Sequence, residues 1–139
     1  MTIEYVLAPV AGYVTAGCLK MLWRAWRAGA WSMQPQGMGG MPSTHAATVS
    51  APLALMLWQG RWSDPAFGVA LALAWIVIVD ALDLRRRIGQ QAALLNTLLR
   101  QAGRPEQVRE SIGHRPVEVL AGVVVGLAVA GVLAWNASA

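Results

Sequence analysis

Residues 66–84 read AFGVALALAWIVIVDALDL, an apolar run whose first charge is Asp80. A bilayer hydrocarbon core about 30 Å thick takes about 20 mostly apolar residues to cross as a helix, and this run has that length. It lacks the alternation of apolar and polar positions that marks a membrane barrel strand. Three further stretches read in the same way. Residues 3–22 are apolar, with Pro9, Gly12 and Gly17 inside them. Residues 42–58 are shorter and begin in a polar motif. Residues 117–135 are rich in Gly, Ala and Val, a composition that lets helices pack closely. The predicted fold class is therefore all-α integral membrane: about four transmembrane helices forming one membrane-embedded domain over residues 1–139.

Composition agrees. Of 139 residues, 56% are hydrophobic and 13% charged, whereas soluble domains carry about 25% charged residues. A chain this small has a large surface for its volume and needs charge to cover it in water. That argues against a soluble enzyme, a disordered tail and a soluble nucleic-acid binder. The single Cys18 sits in an apolar run, where it reads as a small buried hydrophobe, with no disulfide and no Cys-based metal site. The opening Met1-Thr2-Ile3-Glu4 lacks the basic region of a cleaved signal, so the first apolar segment is expected to stay.

Charge is distributed by side. With four spans, the first and third connections share one face of the membrane. Lys20, Arg24, Arg27, Arg85, Arg86, Arg87, Arg100, Arg104, Arg109 and Arg115 then lie on that face, and only Arg61 lies opposite. The positive-inside rule makes the basic face cytoplasmic, and the expected location is a bacterial inner membrane. Tryptophans 23, 26 and 31 flank one interface, and 58, 62 and 135 the other. Between the third and fourth spans, LRRRIGQQAALLNTLLRQAG (84–103) puts Ile88, Leu95, Leu98 and Leu99 near one helical face. That pattern predicts a helix lying in the interface, with Pro105 opening a short second helix through Arg109.

The polar residues fall into three clusters on the basic face: Lys20 to Arg27, GGMPSTH at 39–45 and RESIGHRPVE at 109–118. In the second, two glycines allow a tight turn, Pro42 suits a first helical turn, and Ser43 and Thr44 place hydroxyls beside unpaired backbone amides. A helix N-terminus of this kind binds anions, and His45 follows where it can donate a proton. By spacing alone, an ordinary helix cap with a histidine at the interface is the plainer reading. In the third cluster, His114 and Glu118 stand four apart, so the carboxylate can hold one imidazole nitrogen and aim the other. A structural interface pair fits the same spacing. An acidic residue entering a span is nevertheless a functional candidate by default. Lys20 and Arg27 are about two turns apart and share a helix face; snorkelling side chains would look the same. Several cations, a helix N-terminus and two histidines on one side together make a phosphate site.

GGMPSTHAATVSA (39–51), DALDLRRRIGQQAALLN (80–96) and RESIGHRPVEVLAG (109–122), in that order, resemble the divergent branch of the type 2 phosphatidic acid phosphatase family, related to vanadium-dependent haloperoxidases. The superfamily pattern is K-x6-R-P, then P-S-G-H, then S-R-x5-H-x3-D. Lys20 and Arg27 match the first motif, with Ala28 in place of its proline. Residues 42–45 match the second, with Thr44 in place of glycine. Arg109, His114 and Glu118 match the third. There Val108 replaces the serine, Arg109 is one residue closer to the histidine, and Glu118 replaces aspartate. Asp83 stands where the divergent branch has glycine, and Leu84-Arg85 follows it.

The resemblance implies a metal-independent phosphatase acting on a lipid phosphate, either a phosphatidic acid, a phosphatidylglycerol phosphate or a polyprenyl phosphate or diphosphate. His114 would be the nucleophile, Glu118 its orienter and His45 the general acid. Lys20, Arg27, Ser43, Thr44 and Arg109 would bind phosphate, with Arg85 reaching a diphosphate or headgroup. No cofactor and no metal are expected. The expected partners are the lipid phosphate and membrane lipids, without nucleic acid. Four short helices leave little apolar area for one core, which admits a homodimer. The alternative is a catalytically weak phospholipid-binding or lipid-transport protein of the same fold, and a structural or assembly subunit is the third reading.

Overall fold

A computed structural model describes residues 3–29, 40–104, 107–108 and 115–138 of the chain. Helix α1 runs Glu4–Ala28 and ends on Gly29, whose φ of 63° closes the helix in the left-handed region. Helix α2 runs Thr44–Trp58, opened by Ser43, whose Oγ accepts the amide of Ala46. Helix α3 runs Pro65–Val79, with Asp64 as its cap and Pro65 in its first turn. A π turn over Asp80–Leu84 leads directly into α4, Arg85–Gln101. Helix α5 runs Pro116–Ser138.

Among the described residues, three helical runs are long and apolar enough to cross a membrane: Glu4–Arg27, Pro65–Gln101 and Pro116–Ala137. The second expected span differs. Helix α2 has 15 residues, about 22 Å at 1.5 Å per residue, which is short of the hydrocarbon thickness. It is the inner helix of the bundle, packed against α1, α3 and α5. Its buried positions are mostly small, with Ala46, Ala47, Ser50, Ala51 and Ala54 beside Val49, Leu55 and Met56. Small side chains let backbones approach, and in lipid this close packing replaces the hydrophobic drive that water would supply. Helix α5 answers with glycines at the contact. A Cβ on Gly126 would stand 2.8 Å from Ser50 Cβ and 2.9 Å from the Ala47 carbonyl oxygen, and one on Gly122 would collide with the Ser43 carbonyl.

Direction follows from the contacts at the two ends. At one end, Tyr5 of α1 donates to Gln59 beyond α2, and the Arg61 guanidinium lies 5.0 Å from the Tyr5 ring centre. At the other end, Ala81 of the π turn packs with Ala46 of α2 and Val119 of α5. The chain therefore passes up α1, down α2, up α3 and down α5. The end of α1 and the starts of α2 and α5 lie at the Ala81 end.

The π turn carries the backbone from the third span into the amphipathic helix without interruption. Two expectations are corrected. The short helix through Arg109 is not formed at Gln107 and Val108, which are non-helical; Val108 is held instead by both polar ends of the Asn96 side chain. Cys18 is exposed rather than buried, since the inner face of α1 is the one bearing Ala8, Gly12 and Ala16.

Candidate functional site

The loop before α2 and the start of α5 are joined by their backbones. Ser43 N donates to the Glu118 carbonyl at 2.8 Å. Gly40 N donates to Glu118 Oε2 at 3.2 Å, across 78 residues of sequence. Arg115 N donates to the same oxygen at 3.2 Å. Glu118 lies in the first turn of α5, where the exposed amides of a helix N-terminus favour an anion. Its carboxylate therefore ties the GGMPSTH loop to the chain that leads out of the third motif. This is a positioning role that neither motif reveals by itself.

Lys20 stands half-buried on α1, within electrostatic reach of Glu118 and Arg24. Arg24, one turn further on, packs under the loop. A Cβ on Gly40 would lie 3.1 Å from the Arg24 Nη2, and Gly40 has a φ of 109°, so both space and backbone call for glycine there. Arg24 was not among the predicted phosphate ligands. The signal for it was present, because it follows Lys20 by four residues and so shares its helix face. Arg27 lies further along α1, with its guanidinium 5.8 Å from the Trp23 ring centre, a cation–π contact at the helix end.

The predicted residues of the second motif divide. Pro42 lies outside the helix rather than in its first turn, and Ser43 is fully buried, its Oγ 3.4 Å from the Ala46 amide. Ser43 thus serves as the cap of α2. Thr44 is half-buried, and its carbonyl accepts the Thr48 hydroxyl at 2.7 Å. His45 is exposed on the first turn of α2, beside Ala46, which touches the π turn and α5. Arg85 opens α4, directly after the π turn. Asp83 pairs with Arg87 at 3.0 Å, one turn later. His114 and Arg109 lie outside the described residues. The structure thus gathers Lys20, Arg24, Gly40, Ser43 and Glu118, and brings His45 to the same end of the bundle.

A further residue had no sequence signal. Asn96 on α4 is buried; its Nδ2 donates to the Val108 carbonyl and its Oδ1 accepts the Val108 amide, both at 2.7 Å. It fixes the chain one residue before Arg109. Among the described residues no group of three or more His, Cys, Asp or Glu is placed to hold a metal ion.

The chain is 30% identical over 113 residues to the uncharacterized membrane protein YuiD of Bacillus subtilis (strain 168), an alignment covering 70% of this chain and 72% of that protein. No solved structure matches it significantly. The model of the family described as the divergent PAP2 family matches residues 1–129, a span that includes all three motifs and every helix but the end of α5. The protein is a helical membrane protein and belongs to the divergent PAP2 family.

Proposed function

We propose that the protein removes phosphate from a membrane lipid phosphate, a phosphatidic acid, phosphatidylglycerol phosphate or polyprenyl phosphate or diphosphate, without a metal ion. The observation that carries this reading is the Glu118 carboxylate holding the Gly40 amide at 3.2 Å, which joins the second and third motifs beside Lys20 and Arg24. In this mechanism the lipid phosphate lies between Lys20, Arg24, the amides of the 40–45 loop and Arg109. These groups neutralise the phosphoryl oxygens, where charge stabilisation matters most in phosphoryl transfer. A ring nitrogen of His114 bonds to phosphorus as the bond to the lipid oxygen breaks. His45 gives that oxygen its proton. Water, deprotonated by the now neutral His45, then displaces His114 and releases inorganic phosphate. Glu118 holds the histidine segment in place through Arg115. Arg27 guards the rim, and Arg85 meets a second phosphate or the headgroup.

The test is phosphate release by the purified protein in detergent, with chelator and no added divalent metal. Wild type should turn over a lipid phosphate, vanadate should inhibit, and His114→Ala should lower the rate at least 1,000-fold, the scale lost with a nucleophile acting in concert with its partners. Equal inactivity of wild type and His114→Ala across the three lipid classes, with binding retained, would favour the second reading: a phospholipid-binding or lipid-transport protein. That reading draws on Glu118 Oε2, which already accepts two backbone amides, and on Val108 at the position of the family serine.

A further inference from the structure

Beside the polar cluster, the outer surface between α1 and α5 is hollowed into a groove of about 750 Å³. Its walls are Leu22 and Trp26 on one side and Val117, Leu120 and Val124 on the other, and Pro42 closes one end. Among the described residues, each one lining it is aliphatic, aromatic, Met or Pro. The volume lies within the range of about 300–1,000 Å³ typical of small-ligand sites. Leu22, Trp26, Val117, Leu120 and Val124 are each more than half exposed, so the groove opens sideways from two membrane-spanning helices.

Its position is what gives it meaning. Pro42 precedes Ser43, Val117 precedes Glu118, and Leu22 lies between Lys20 and Arg24 on α1. The apolar trough therefore begins where the cationic end of the bundle begins. A ligand filling both has one hydrocarbon portion and one anionic head. An anionic amphiphile complements the apolar trough and the Lys20 and Arg24 pair together.

We infer that this groove holds a hydrocarbon chain of the anionic lipid whose phosphate meets Lys20, Arg24 and the Gly40 amide. The identity of the headgroup rests on the function proposed above; the groove as the chain site does not. Lipid tails are as apolar as the groove, so it contributes little net affinity within a bilayer. What it supplies is alignment, since a chain laid between Leu22 and Val124 directs its head towards the 40–43 loop.

The experiment uses the full-length protein in liposomes with a long-chain alkyl phosphonate bearing a mid-chain photoreactive diazirine, which cannot be hydrolysed. Labelling should concentrate on Leu22, Leu120 and Val124. Val117→Trp and Val124→Trp each fill the trough from an exposed position and should cut that labelling at least fivefold, while Leu73→Trp on the outer face of α3 should leave it unchanged. Labelling spread equally over Val69, Leu73 and Ile76, groove labelling indifferent to both tryptophans, or cross-links joining two copies through the groove would each overturn the inference. Phosphate release is measured in parallel. Turnover without groove labelling would remove the chain site and leave the phosphatase; groove labelling without turnover would do the reverse.

Discussion

Asn96 shows how much one side chain can organise in this small protein. A buried amide that satisfies both polar groups of Val108 is costly to lose, because removing one partner leaves the other without its hydrogen bond. Asn96→Ala is expected to destabilise the protein by about 1–3 kcal/mol, read as a lower midpoint of thermal unfolding in detergent. Hydrogen exchange at the Val108 amide should accelerate, and unchanged exchange would remove Asn96 from this role. Asn96→Asp sets a carboxylate oxygen against the Val108 carbonyl where the amide donated, so near neutral pH it should destabilise at least as much as Asn96→Ala. Nothing in the sequence announced this residue: in LRRRIGQQAALLNTLLRQAG it reads as one more polar position on an amphipathic helix. Glu118 was legible as a candidate, but its bond to the Gly40 amide 78 positions away was not, because spacing reports neighbours along a helix and says nothing of what a loop brings back. Cys18 was misread for a related reason. In a membrane span an apolar environment does not imply the protein interior, since lipid offers the same surroundings on the outer face.

At the scale of helices, hydropathy identified α1, α3 and α5 well, because each must present a nearly continuous apolar surface to lipid. It overestimated α2, whose apolarity comes from burial among its neighbours and not from crossing the bilayer alone. The π turn was invisible, since hydropathy records where apolar residues stop and not whether the backbone continues through them. The contact of α2 with α5 gives a sharp expectation. Gly126→Ala sets a methyl against the Ala47 carbonyl and the Ser50 side chain, at 2.9 and 2.8 Å, and should cost about 1–3 kcal/mol, the usual penalty of overpacking. Gly17→Ala meets nothing within 4 Å and should be neutral or slightly stabilising in the same unfolding assay. Equal effects of the two substitutions would mean that α5 does not seat on α2 as described.

For the whole molecule, the alternation of helices puts the end of α1, the start of α2, the π turn and the start of α5 at one end, which among the described residues holds Lys20, Arg24, Arg27, Arg87 and Arg115. The positive-inside rule predicts that this end faces the cytoplasm, which accessibility labelling tests. A cysteine at Trp62, in a Cys18→Ser background, should react with a membrane-impermeant thiol reagent in intact cells. One at Gly37 should react only after permeabilisation. The opposite pattern would place the proposed phosphate site outside the cell.

The shortness of α2 also sets the depth of the 40–43 loop. Helix α1 continues past Lys20 to Arg27, about 10 Å further along its axis, whereas α2 begins at Thr44, and Ser43 is bonded to Glu118 in the first turn of α5. The loop therefore sits about two helical turns inward of the end of α1. Under the proposed function, a lipid phosphate reaching Lys20 and the Gly40 amide would have to pass that end.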